Sequence, residues 1–339
     1  MVCAALRRET SRLAQCVVAF IGLCACAADI PEDAAKPKRA RDYDVDYVAT
    51  LRPDLGLIEV DVSVAQTRKR LVEAVFTMPE DRYAVETKPG LVRRGEEVRW
   101  ALDGEPGTFS YRVRVDARRE NGLFDARMTP DYAIFRGDDV FAPVRTVAKK
   151  SANSKTRLRV VPPEGWTAET PYGRFEQGSR SRRVDNPERK FDRPVGWMIA
   201  GRLGVRRERI AGTRIVIAAP RDHGFRRNDM LAFLSWTLPR LAEVLPLPGR
   251  ILIVGAGEGF WRGGLSASNS MYLHADRPLV SENDTSTLLH EMVHVASRLR
   301  AASDDDWIVE GIAEFYSLEL LRRAGCLLYT SDAADELLG

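Results

Sequence analysis

The sequence predicts an α+β chain of two domains, an antiparallel β-sandwich-like half from about residue 43 to 203 and a mixed α/β half from 204 to 325. Three observations carry this expectation. Apolar residues recur with a period of two through the first half. In the second half they gather into short unbroken runs and helical stripes. Finally, 339 residues at 45% hydrophobic and 29% charged suffice to bury two cores.

Residues 1 to 28 precede both halves and read as an export signal. Arg7, Arg8 and Arg12 form a positive n-region, "CVVAFIGLC" (16 to 24) is an apolar core too short for a stable membrane span, and small residues follow. Leu23, Cys24, Ala25 and Cys26 resemble a bacterial lipobox, in which the cysteine, here Cys26, is lipidated and becomes N-terminal after cleavage. Ordinary cleavage near Ala27 or Ala28 fits almost as well. Either route predicts an exported protein, periplasmic or at the cell surface, touching a membrane only through an N-terminal lipid anchor. "DIPEDAAKPKRARD" (29 to 42) then reads as a flexible linker.

In the first half, "LIEVDVSV" (57 to 64) puts Ile58, Val60, Val62 and Val64 on one face and Glu59, Asp61 and Ser63 on the other, as a half-buried strand requires. "FSYRVRVDA" (109 to 117) and "TRLRVVPPEGW" (156 to 166) repeat the pattern, with "DGEPG" and "PPEG" as turns. The arginine-rich "GSRSRRVDNPERKFDRP" (178 to 194) holds one aromatic, Phe191, and carries Asp185, Glu188 and Asp192, so it reads as a solvated loop. The chain's 51 basic and 48 acidic residues leave a formal charge of +3, which argues against nucleic acid as a partner.

After residue 204, "TRIVIAAP" (213 to 220) and "GRILIVGAG" (249 to 257) suit buried strands, and "NDMLAFLSWTLPRLAEVL" (228 to 245) suits a helix kinked at Pro239. "SASNSMYLHA" (266 to 275) reads as a strand on the rim of a cleft. Two helices follow, about 285 to 300 and 305 to 323, the second opened by Asp304, Asp305 and Asp306. Four of the five cysteines lie in the export segment and the fifth is Cys326, so a metal site in the body must use His, Asp and Glu.

Such a site is offered by "LLHEMVHVAS" (288 to 297). At about 3.6 residues per turn, His290 and His294 share one helix face and reach a common ion, with Glu291 beside them. This is the H-E-x-x-H pattern, in which the carboxylate does not bind zinc but holds and deprotonates the attacking water. A catalytic zinc wants three protein ligands and one open position. "WIVEGIAEFY" (307 to 316) offers Glu310 on the next helix.

Here the sequence resembles the gluzincins, the thermolysin-like zinc peptidases, whose third ligand is a glutamate on the helix after H-E-x-x-H. The W-x-x-E-G-x-A wording around Glu310 looks most like the aminopeptidase branches. The resemblance implies a truncated thermolysin-like catalytic domain, Zn(2+) held by His290, His294 and Glu310, and Glu314 as the carboxylate that takes a ligand histidine's free ring N–H. Gly311 would let the two helices approach closely. "GGLSASNS" (263 to 270) looks like the G-G-L-E-H-x-x-S stretch of the glycyl aminopeptidase family, implying that Gly263, Gly264, Leu265 and Ser266 hold an extended peptide substrate. The likeness runs from about residue 43 to 325 and is loose outside the two helices.

One departure bears on activity. Ser266 stands where that pattern has glutamate, and in related aminopeptidases this carboxylate grips the substrate's α-amine. Three readings follow: an aminopeptidase-like zinc peptidase, an endopeptidase, or an exported scaffold with a decayed peptidase domain. Glu258 in "GAGEGFW" is the nearest substitute carboxylate, while His223 and His274 read as structural or rim residues. The transition-state donor, Tyr or His in such enzymes, is expected beyond Gly325. "CLLYTSDAADE" (326 to 336) resembles translated sequencing-adapter sequence, so residues 326 to 339 read as an artefactual tail.

Overall fold

The computed structural model describes residues 41–327 except 151, 175, 177, 186–189 and 302–305. The export signal, most of the linker, Asp304, Asp305 and most of the expected tail lie outside the described residues. The described residues form one compact unit. Among the described residues no helix is long and apolar enough to cross a membrane.

In chain order the strands are β1 (Arg41–Arg52), β2 (Leu57–Ala65), β3 (Leu71–Thr77), β4 (Tyr83–Val85), β5 (Leu91–Arg94), β6 (Glu97–Ala101), β7 (Gly107–Arg114), β8 (Ala117–Arg118), β9 (Phe124–Met128) and β10 (Tyr132–Arg136). A short helix α1 (Gly137–Val140) follows, then β11 (Val144–Ala148), β12 (Ala152–Val161), β13 (Thr167–Glu169), β14 (Arg182–Val184), β15 (Trp197–Gly201), β16 (Leu203–Ile210) and β17 (Thr213–Pro220). The rest is α2 (Arg227–Ala242), β18 (Arg250–Ala256), β19 (Gly264–Ala267), β20 (Ser270–His274), α3 (Thr287–Ser297) and α4 (Asp306–Arg323).

The sheet β14-β12-β1-β2-β7-β4 and the sheet β11-β3-β6-β5 share a core of Tyr47, Val60, Phe76, Trp100 and Phe109. The alternation expected of β2 holds, with Ile58, Val60, Val62 and Val64 all buried. Two features depart from the sequence expectation. β1 begins at Arg41, inside the stretch read as linker, and pairs with β12 in parallel, so this sheet is mixed. A half-buried strand alternates in the same way beside either kind of neighbour, so periodicity could not foresee the parallel pair.

The sheet β13-β15-β10-β9-β8 packs Trp197, Ile199 and Ile134 against Val216, Leu252, Val254 and Tyr272 of the sheet β16-β17-β18-β20-β19. The other face of that last sheet, with Ile215, Ile217, Ile251 and Ile253, packs on α2, α3 and α4 through Leu234, Leu238, Leu289, Met292, Ala313 and Leu320. Burial on both faces is why β17 and β18 read as unbroken apolar runs. The helix over "NDMLAFLSWTLPRLAEVL" forms as α2 and continues through Pro239 to Ala242. The single strand expected at 266 to 275 is instead a hairpin, β19 and β20, folded back at Asn269, whose φ is 51°. Asparagine tolerates that left-handed conformation better than most residues.

Candidate metal centre

The helix α3 starts at Ser286, whose hydroxyl accepts the Leu289 N–H, and stops at Arg298 in a left-handed conformation with its N–H on the His294 carbonyl. Leu288, Leu289, Met292, Val293, Val295 and Ala296 are buried, which fixes the rotation of the helix. His290 and His294 are thereby turned toward α4. On α4, Ala313, Ser317, Leu320 and Leu321 face the core, leaving Glu310 and Glu314 one turn apart beside the histidines.

His290 Nε2 lies 3.0 Å from a Glu310 carboxylate oxygen, His294 Nε2 lies 3.4 Å from the other, and the two Nε2 atoms are 3.1 Å apart. Donor atoms bound tetrahedrally to one zinc at about 2.0–2.1 Å lie roughly 3.3 Å from one another. The three separations are of that size. Two imidazole nitrogens in contact can share only one proton, whereas a cation satisfies both lone pairs and the carboxylate together. The residues present therefore fit a zinc ion. Glu314 accepts from His290 Nδ1 at 3.1 Å, which leaves the Nε2 lone pair directed at Glu310.

Glu291 is 8% exposed, packed against Gly264 of β19 and close enough to His294 and His290 to feel both. Burial raises its carboxyl pKa; His294, His290 and hydrogen bonds from the Ser266 hydroxyl and backbone oppose that shift. A Cβ added at Gly264 would stand 2.9 Å from Glu291 Cγ and 2.6 Å from Thr287 Cγ2, so only glycine admits the strand this close to α3. Gly263 lies under the Trp261 ring, and the Leu265 carbonyl accepts the Trp197 indole N–H at 2.8 Å.

Of the residues expected to hold substrate, Gly264 and Ser266 thus meet Glu291, and Gly263 and Leu265 are packed on tryptophans. Trp197 and Thr287 were not singled out from sequence, because a tryptophan in a strand and a threonine at a helix start look like ordinary packing residues. The role expected of Gly311 is corrected: no atom lies within 4 Å of the Cβ it lacks, so it does not bring the helices together. On the same helix as the glutamate pair, Trp307 and Phe315 are 73% and 62% exposed.

The remaining histidines are structural. His274 engages the Gly257 carbonyl through Nε2 at 3.0 Å and the Asp276 N–H through Nδ1 at 3.2 Å. His223 accepts the Gly257 N–H and stands edge-on to Tyr132. Glu258 is exposed in its turn. The triad itself is open, with Glu310 57% exposed, and a cavity of about 360 Å³ beside Gly201 and Arg221 lies elsewhere.

No family model and no curated protein sequence matches the chain. Solved structures do. An aminopeptidase N family protein from Idiomarina loihiensis matches with a TM-score of 0.58 at 15% identity, over 84% of this chain and 55% of its own. This chain therefore spans about half the length of that protein. An M1 zinc metallopeptidase from Deinococcus radiodurans matches with a TM-score of 0.55 at 15% identity, over 87% of this chain and 73% of its own. A variant of the Deinococcus enzyme, with a TM-score of 0.54, is bound to a Tyr-Ser-Ala substrate. At this identity the likeness shows the fold: the chain has the architecture of these zinc peptidases.

Proposed function

We propose that this chain is a zinc-dependent peptidase, aminopeptidase-like in architecture, acting on peptide or protein substrates outside the cytoplasm. The observation that carries the reading is the meeting of His290, His294 and Glu310 donor atoms within 3.0 to 3.4 Å, with Glu291 buried alongside. Those three side chains would hold the ion, and Glu314 would keep His290 in its ligating tautomer. Zinc bound there supplies Lewis acidity toward a carbonyl and lowers the pKa of water.

Glu291 takes the proton from the attacking water and returns it to the leaving amine. Its packing against β19, with a hydrogen bond from the Ser266 hydroxyl, holds the carboxylate in place for both halves of that task. The outer edge of β19, with no partner strand among the described residues, suits main-chain pairing with an extended peptide. Export, a lipid anchor at Cys26, and domains at 43 to 203 and 204 to 325 belong to the same reading.

A second reading, an endopeptidase, is favoured by Ser266. Its hydroxyl is committed to Glu291 and carries no charge, so it does not grip a substrate's free amine. Peptides with free and with blocked N-termini separate the two: equal cleavage of both supports the endopeptidase. For the peptidase reading itself, Glu291→Gln is expected to keep bound zinc while hydrolysis falls by about 10²–10⁴-fold. Wild-type cleavage by that variant would remove Glu291 from the chemistry.

A further inference from the structure

At the opposite edge of the sheet that carries β19, strand register assembles arginines. Arg209 of β16 sits opposite Arg214 of β17, and Arg214 sits beside Arg250 of β18, so the three leave one face in a lateral row. Arg207, two residues from Arg209, leaves the same face. Across the row lies Glu169 of β13, a carboxylate 8% exposed that accepts from Arg207 and, at 2.7 Å, from Arg250. From the other side come Arg174 and Arg182, bridged to each other, with Arg182 close enough to feel Glu169, Arg207 and Arg214.

Six arginines thus gather about one buried carboxylate, Glu169, while the nearby Glu208 accepts the backbone N–H of Arg209 at 3.0 Å and the Arg209 guanidinium donates to the Gly212 carbonyl at 2.8 Å. Arg207, Glu208, Arg209 and Arg214 line an open cavity of about 270 Å³. Gathering guanidinium groups around one buried carboxylate leaves positive charge uncompensated. Burial chiefly, with smaller effects of the neighbouring arginines and against the pull of Glu169, holds Arg182 and Arg250 below the usual arginine range. The chain's small net charge rules against long-range capture of polyanions, yet it leaves room for a local site. A tetrahedral oxyanion suits the cavity, because each guanidinium presents a planar fork of donors that matches phosphate oxygens in pairs.

We propose that this arginine row is a binding site for a phosphate-bearing anion, contacted chiefly by Arg209 and Arg214, the anion being a free phosphate compound or a lipid headgroup. The site shares no residue with the zinc centre and lies across the sheet from it, so it stands independently of the peptidase reading.

The test is calorimetric titration of the full chain with inorganic pyrophosphate, at an ionic strength held constant with sodium chloride. Saturable one-site binding and a raised Tm are expected, with affinity falling about tenfold or more in Arg214→Gln and in Arg209→Gln. Both substitutions leave the pairs of Glu169 with Arg207 and Arg250 in place. Co-sedimentation with phosphatidylcholine vesicles, with and without phosphatidylglycerol, separates the sources. Retention on the anionic vesicles that pyrophosphate displaces assigns a headgroup, and pyrophosphate binding without retention assigns a free phosphate compound. The proposal is overturned if the wild type shows no saturable binding, or if both variants bind pyrophosphate as tightly as the wild type.

Discussion

His274 is 1% exposed, and its ring is engaged at both nitrogens in the neutral form, donating from Nε2 and accepting at Nδ1. A second proton at Nδ1 would face the Asp276 N–H, which already points at it. Burial is the main cause that lowers the pKa of His274 from its ordinary 6.5, opposed in part by the Asp276 carboxylate. Above about pH 6.5 the ring is neutral in both folded and unfolded chains, and its full contribution to stability is present. Below that, the unfolded chain takes up a proton that the folded chain refuses, and the contribution is lost as pH falls toward the folded pKa. His274→Gln should cost on the order of 1 kcal/mol near neutrality and flatten the loss of stability between about pH 7.5 and about pH 5.5. His223, also lowered by burial, keeps some slope in the variant. Urea midpoints at the two pH values give the slope, and an unchanged slope would show that His274 does not titrate this way.

Between elements, the decisive contact is β19 lying against α3 at Gly264. Gly264→Ala sets a methyl group 2.6 Å from Thr287 and 2.9 Å from Glu291, forcing the strand outward or the carboxylate aside. Overpacking of this kind costs about 1–3 kcal/mol, and a displacement near 1 Å at a reacting group costs about 10²-fold in rate. Melting curves and peptide hydrolysis should therefore both suffer, and a variant as stable and active as the wild type would contradict the contact. Sequence made the helices of this site legible because His290 and His294 obey a local spacing and Glu310 follows on the next helix. It did not reveal that Ser266 bonds to Glu291, since that contact joins residues far apart in the chain through a hairpin. The hairpin was itself hidden, because "SASNS" alternates like a strand and only Asn269's left-handed backbone breaks it. The apolar runs of β17 and β18 were readable for the opposite reason: each residue there is buried whichever way it points.

At the scale of the molecule, one mixed sheet is clamped between a β layer and three helices, and the two last helices meet at the histidines. A metal ion held there would tie α3 to α4, so its binding energy adds to the stability of the fold. Chelation should lower Tm by several degrees, at roughly 2–4 °C per kcal/mol, and restored zinc should return it. A Tm indifferent to both treatments would mean that no ion bridges the helices. The helix bearing Glu310 also turns Trp307, Ile308 and Phe315 to solvent, at 73%, 46% and 62% exposure. A helix so furnished is adhesive once released from its neighbour. Stripping the ion and clumping of the protein would then be coupled events, and storage buffers that sequester divalent cations would shorten its shelf life.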